Sequence, residues 1–278
     1  MLTLRRYKSM LRFWLRVAYP LSLGIFAVAL SLEVSLASSF APQPSTRSQQ
    51  LPLNPNNGHS WQISQAFQPP DRGAPPRTED LGTRGGLLSQ KPLTVLMPDV
   101  KPQEPNFGLT LSAYPTFFAY IPESSAETGL FVLIDDNEQI VYRESFPMPQ
   151  QAGIVSISLP HNASPALEMD RWYQWYVIVV DNPDHWSNNG ISNRGWIQRI
   201  KPNETLENQL QNATPRELPT LYAEAGIWHD AVASLITLRD AQPDNPILIS
   251  DWKKLFDSAG LAAFSQDSVV DCCKAEPQ

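Results

Sequence analysis

The hydrophobic period of this chain changes once, near Pro202, and that change limits the folds open to it. Upstream, apolar residues recur every second position in short runs, over 93–96, 109–112, 116–121, 130–134, 140–146, 153–159, 172–180 and 195–200. A period of two belongs to strands, whose side chains point alternately to opposite faces. The runs are separated by turn formers, among them Tyr114-Pro115 and Asp135-Asp136-Asn137-Glu138. Strands spaced in this way predict an antiparallel β-sandwich over 91–201. Downstream the period is helical, and 217–225, 227–241 and 247–257 read as three helices in a small region over 202–262. The predicted class is α+β, with a flexible tail over 263–278.

The sandwich does not begin at residue 1. Arg5, Arg6, Lys8, Arg12 and Arg16 precede an apolar run over 17–32, and Ser35-Leu36-Ala37 follows with small residues where a signal peptidase reads. That order is the order of a secretory signal peptide over 1–37. The run spans about 24 Å as a helix, short of the roughly 30 Å of a hydrocarbon core. Membrane attachment is therefore expected only through an uncleaved signal segment. Residues 1–37 hold five bases and one acid, so their removal takes the formal net charge from -7 to -11. Residues 38–90 are rich in Pro, Gln, Ser and Asn and poor in clustered apolar residues. Such a segment cannot bury enough surface to offset its ordering entropy, and it reads as a disordered proline-rich linker.

Composition excludes several classes of function. An acidic chain lacks the Lys/Arg clusters that meet nucleic-acid phosphates. Two cysteines, adjacent at Cys272 and Cys273, cannot build a multi-cysteine metal centre or a disulfide-stapled mini-fold. Neighbouring Cα atoms lie closer than a disulfide usually spans, so in an oxidising compartment the pair is expected to form a disulfide or mixed disulfide, including one that links two chains.

The candidate recognition surface is the loop over 181–194, between two strands, with Asp181, Asp184, His185, Trp186, Asn188 and Arg194 as candidate ligand-binding residues. Loops at the ends of a sandwich carry recognition, and Trp186 offers a stacking face beside polar neighbours. Neither this loop nor the acidic turn 135–138 has the ligand spacing of a zinc or calcium site, so no metal or cofactor is expected. No G-x-S-x-G elbow is present. His229-Asp230 reads as an exposed helix face, and no catalytic constellation is expected.

Two spacings resemble known motifs. Leu167 lies six residues before Tyr173, and Tyr173 to Val177 then alternates. This resembles the corner before the penultimate strand of immunoglobulin- and fibronectin-like sandwiches, where a buried Tyr hydroxyl bonds back to the loop. With no inter-sheet cysteine pair, Trp175 and Trp196 are expected to supply core bulk. Gly226, Trp228, Ala231, Leu235, Leu238 and Pro243 are similar in spacing to the second half of a tetratricopeptide repeat.

Five strings carry a wider resemblance: 108–117 (GLTLSAYPTF), 153–160 (GIVSISLP), 172–176 (WYQWY), 195–199 (GWIQR) and 221–231 (LYAEAGIWHDA). Together they resemble the cyanobacterial exported family labelled domain of unknown function 928, over roughly residues 90–262. The resemblance implies export and architecture without a reaction. The loop at 181–187 departs from it, with His185-Trp186 where the family often has Asp-Arg-Ser. The expected function is that of an exported, non-catalytic binding or scaffold protein of the cell envelope. Its expected partner is an envelope protein or a cell-surface glycan, and the alternative is glycan binding or hydrolysis through the 181–194 loop.

Overall fold

The computed structural model describes residues 67–70, 75, 91–99, 106–162, 164–180 and 190–273. The signal-like segment 1–37, most of the linker, the loop residues 181–189 and residues 274–278 lie outside them. The described chain is α+β. Eight strands come first: β1 Thr94–Val95, β2 Phe107–Thr110, β3 Thr116–Ile121, β4 Thr128–Asp135, β5 Ile140–Pro147, β6 Gly153–Ser158, β7 Trp172–Val180 and β8 Ile191–Arg199. Four helices follow: α1 Glu204–Asn212, α2 Leu218–Glu224, α3 Trp228–Ala241 and α4 Pro246–Ser258, then a short 3-10 turn at Ala262–Phe264.

The strands form two sheets, ordered β1-β3-β6 and β2-β8-β7-β4-β5. Most neighbours are antiparallel, as expected. The exception is β2, which runs parallel to β8 from Phe107 opposite Trp196 to Thr110 opposite Arg199. The first two apolar runs go to different sheets, β1 to the three-stranded sheet and β2 to the five-stranded one. Pro98 follows β1, and proline has no N–H to give a ladder. β1 pairs with β3, whereas β2 pairs with β8 in the other sheet.

Alternation decides which side chains fill the space between the sheets. Phe117, Phe131 and Trp175 meet there, with ring centroids 4.8 Å apart for the two phenylalanines and 5.0 Å for Phe117 and Trp175. Trp175 and Trp196 are both buried, as expected, but only Trp175 fills the space between the sheets, and Trp196 adds its bulk on the other face. It sits between Gly195 and Ile197 on β8, faces the other side of the sheet, and packs edge-on against Trp172 at 6.4 Å. The Tyr173 hydroxyl is buried at the start of β7 and accepts a hydrogen bond from the Glu168 N–H at 3.1 Å. Tyr173→Phe removes that bond and is expected to cost about 1 kcal/mol in urea unfolding without changing the m-value.

Sheets and helices share one core. Trp228, Ala231, Val232 and Leu235 of α3 and Trp252, Leu255 and Phe256 of α4 join the same apolar cluster as Phe117 and Trp175. The division at residue 201 is thus a change of secondary structure and not a gap between cores. The sequence reading missed α1. Its apolar residues are few, but Asn203 caps it by accepting from the Leu206 N–H at 2.8 Å, and Glu204 and Glu207 sit at the favourable end of the helix dipole.

Two segments expected to be loose are held. In the linker, Phe67 is buried edge-on against Trp228 at 5.3 Å. Its N–H donates to Ser258 Oγ, and the Gln68 N–H donates to the Ala223 carbonyl. An aromatic side chain with two backbone bonds offsets the ordering entropy that the surrounding composition alone could not. Gly226 admits this arm. It ends the α2 region at φ 71°, and a Cβ there would lie 2.7 Å from the Gln68 carbonyl oxygen. In the tail, Ile154 of β6 exchanges hydrogen bonds with Ser268 and Val270, each 2.8 Å long. An unpaired strand edge is a template for further pairing, and here the chain's own C-terminal segment covers part of it.

Candidate functional site

Of the residues singled out in the 181–194 loop, Asp181, Asp184, His185, Trp186 and Asn188 lie outside the described residues. Arg194 is half-buried on β8, opposite Tyr176 of β7. The acidic turn after β4 is an ionic clamp. Asp135 accepts from the N–H groups of Asn137 and Gln139, and Arg171 bridges Asp135, Asp136 and Glu168. Burial pushes the Asp135 carboxyl up, but these donors outweigh it and hold its pKa below the usual value.

Cys272 and Cys273 are bonded to each other, with Cα atoms 3.7 Å apart. Both sulfurs are used within the chain, so a link to a second chain would require this bond to open. Intact protein treated with iodoacetamide is expected to gain no adduct. After reduction it should gain one on each cysteine, as read by mass spectrometry. Two adducts without reductant would contradict the bond.

The structure draws attention to a different place. A cavity of about 370 Å³ opens between the β2–β3 connection and the α2–α3 hairpin, lined by Thr110, Ser112, Tyr114, Thr116, Tyr222 and Asp230 among others. The helical pattern places His229 and Asp230 in the first turn of α3. Neither is the exposed face that sequence suggested, because α3 inserts its N-terminus between the sheets. His229 is 1% exposed. Its Nδ1 lies 3.0 Å from the Thr116 carbonyl oxygen. A carbonyl only accepts, so Nδ1 carries the proton and Nε2 is a bare acceptor. Nε2 has no hydrogen-bond partner among the described residues and packs over Gly108, where a Cβ would lie 2.9 Å away. Burial disfavours the imidazolium and lowers the His229 pKa to about 4, against a smaller upward pull from its bond to Thr116.

Asp230 follows this imidazole in sequence, and both residues line the cavity. Its Oδ2 accepts from the Leu111 N–H at 3.2 Å. Burial raises its pKa to about 6, opposed by bonds from the Thr110 hydroxyl, the Leu111 N–H and its own N–H. Tyr222 is also raised, first by burial and then by the Asp230 charge. A carboxyl with a displaced pKa in a cleft is a functional-site signature. Sequence offered little sign of it, since the hydroxyl residues come from 110–116 and the carboxyl from residue 230.

Residues 79–269 match the family described as Domain of Unknown Function (DUF928). The chain belongs to this family. The match runs from the linker through every described strand and helix to the segment that pairs with β6. Asp230 and the hydroxyls around it are therefore part of the family domain. No curated protein matches the chain. One solved structure with some likeness is a beta-glucuronidase of Bifidobacterium dentium in complex with coumarin-3-O-glucuronide, at 8% identity and a TM-score of 0.24. The match covers 39% of this chain and 18% of that enzyme, so it spans less than a fifth of the enzyme's length. A likeness that slight carries no argument about fold or activity.

Proposed function

We propose that this chain is an exported, non-catalytic binding protein of the cyanobacterial cell envelope, and that the cavity at Asp230 is where it binds. The N-terminal basic and apolar segment supports export. We further propose an immunoglobulin/fibronectin-like sandwich carrying a tetratricopeptide-like hairpin. The bond from the Glu168 N–H to the Tyr173 hydroxyl, in the corner before the penultimate strand, supports the first. Gly226 between α2 and α3, with Ala231 buried against the core, supports the second.

One observation carries the binding reading over catalysis. The imidazole next to Asp230 in sequence borders the cavity, but both of its nitrogens face elsewhere, with Nδ1 engaged by the Thr116 carbonyl and Nε2 against Gly108. It does not activate a hydroxyl of the cavity or pair with the carboxylate. Nucleophilic catalysis needs a base within hydrogen-bond reach of the nucleophile, itself oriented by a third group. What remains is a carboxyl among hydroxyls, the kind of lining that recognises a small polar ligand or a polar group of a partner. The alternative reading, glycan binding or hydrolysis through the 181–194 loop, rests on Trp186. The hydroxyl lining favours the glycan part of it at the Asp230 cavity.

The test is ligand-observed NMR against neutral sugars, amino acids and short peptides, with wild type and Asp230→Asn. Binding by one class that the variant weakens, with the ligand recovered unchanged, is the expected result. Conversion of a ligand by wild type and not by the variant would replace the binding reading with an enzymatic one.

A further inference from the structure

A second and larger cavity, of about 870 Å³, adjoins the first. Tyr114, Thr116, Ala233 and Thr237 line both. Four shared wall residues make the two spaces consecutive chambers of one cleft. The floor of the second chamber is the outer face of the three-stranded sheet. Phe117, Val155 and Ile157 turn toward the five-stranded sheet, so Thr116, Phe118, Ser156 and Ser158 lie on the opposite face, where Phe118 is itself buried. One wall is α3, and the other is the C-terminal segment, which ends in the Cys272–Cys273 disulfide.

The chemistry of this lining is specific. Neither chamber is lined by a lysine or arginine among the described residues, while Asp230 belongs to the first and Asp240 and Asp271 to the second. Like charge therefore disfavours phosphate, sulfate and carboxylate ligands. Hydroxyls run along the whole cleft, from Ser112 through Thr116 and Thr237 to Ser156 and Ser158. Ser156 Oγ is buried without a hydrogen-bond partner among the described residues, which is costly unless a ligand or water completes it. Flat apolar surfaces alternate with them. The Tyr114 ring stacks on His161 at 4.1 Å, and the disulfide offers a polarizable apolar edge at the far end. A peptide would look for backbone partners, yet the Thr116 carbonyl is already taken by His229.

We propose that the cleft binds a neutral oligosaccharide, with one end at Asp230 and the chain running over Thr116 and Thr237 toward the disulfide. A sugar chain presents equatorial hydroxyls at its edges and apolar C–H faces, the two kinds of surface this lining alternates. The first chamber alone lies in the roughly 300–1,000 Å³ range that holds one small ligand. The second is more than twice its volume, so a ligand that fills both is a chain of several rings. This inference rests on the Asp230 cavity being a binding site.

Isothermal titration of the intact mature chain with maltose, cellobiose and chitobiose, and with the corresponding tetrasaccharides, tests it. One tetrasaccharide is expected to bind about tenfold more tightly than its disaccharide, because the longer chain alone reaches the second chamber. Ser156→Leu, which fills that chamber and leaves Asp230 untouched, is expected to abolish the gain while preserving disaccharide affinity. Circular dichroism checks that the variant folds. If it does not, Ser158→Val serves, with the same expectation. Equal affinity for both lengths, or a gain that survives the folded variant, overturns the extended cleft. Peptide binding that Asp230→Asn weakens, without any saccharide binding, overturns the glycan assignment and keeps the cavity as a site. No binding of any probe overturns both.

Discussion

Trp228→Ala is expected to lower stability by about 5 kcal/mol, close to the whole margin of a small domain. The side chain is fully buried at the start of α3. It meets Phe67 of the N-terminal arm at 5.3 Å and Phe256 of α4 at 5.9 Å, and its Nε1–H donates to the Leu96 carbonyl at 2.7 Å. Truncation removes the largest apolar surface at this junction, worth about 3–5 kcal/mol for a buried tryptophan. It also strands a buried carbonyl next to β1, which adds about 1–3 kcal/mol. Trp228→Phe keeps most of the packing and loses the hydrogen bond, so its cost should be about 1–2 kcal/mol. The manner of unfolding matters as much as the amount. Trp228 ties the arm, the helices and the sheets into one core, so ellipticity at 222 nm and tryptophan fluorescence should report a single coincident transition in urea. Helical signal lost well before fluorescence would mean that the helices are a separate unit.

That junction also marks where the sequence became hard to read. Period-two alternation located all eight strands, because one buried face imposes it regardless of partners. Alternation is local, however, and does not say which sheet a strand joins. That β1 joins β3's sheet and β2 joins β8's was therefore not legible from the two runs. Phe67 was hidden for a related reason. One aromatic in a polar, proline-rich stretch has no pattern, and only the contact with Trp228 gives it a place. The cleft is the extreme case. Thr110, Ser112 and Thr116 read as ordinary strand-end hydroxyls, and Asp230 as a routine acid in the first turn of a helix. Only insertion of α3 between the sheets brings them together, and the same insertion buries His229. Tyr173 was legible because its partner, the Glu168 N–H, lies five residues away in the same corner.

The pH dependence of stability should be nearly flat for the His229–Asp230 pair as a whole and steep for either residue alone. Burial displaces the two groups in opposite senses. His229 falls from 6.5 to about 4, so its contribution to stability is complete above pH 6.5 and is lost as the pH drops toward 4, where the unfolded chain takes up a proton that the folded chain refuses. Asp230 rises from 3.8 to about 6. Its contribution is complete below pH 3.8 and is lost as the pH climbs through 6, because the folded chain keeps a proton that the unfolded chain releases. Between pH 4 and 6 the unfolded state holds one extra proton on the imidazole and the folded state one extra on the carboxyl, so the two slopes cancel. Asp230→Asn exposes the histidine slope: relative to wild type, it should lose about 3 kcal/mol between pH 6.5 and 4. His229→Asn, which keeps a donor near the Thr116 carbonyl, exposes the opposite slope, so that relative to wild type it gains stability as the pH falls over the same range. Both variants shift absolute stability for reasons of packing, so slopes are compared rather than values. Urea midpoints at half-unit pH steps provide them, and parallel curves for all three proteins would mean that neither group is buried as described. The cancellation also bears on the cleft. Asp230 can gain or lose its proton near pH 6 with little change in fold stability, so a ligand that prefers one form of the carboxyl works against a small background. Affinity measured at pH 5 and pH 7 should then differ for wild type and coincide for Asp230→Asn.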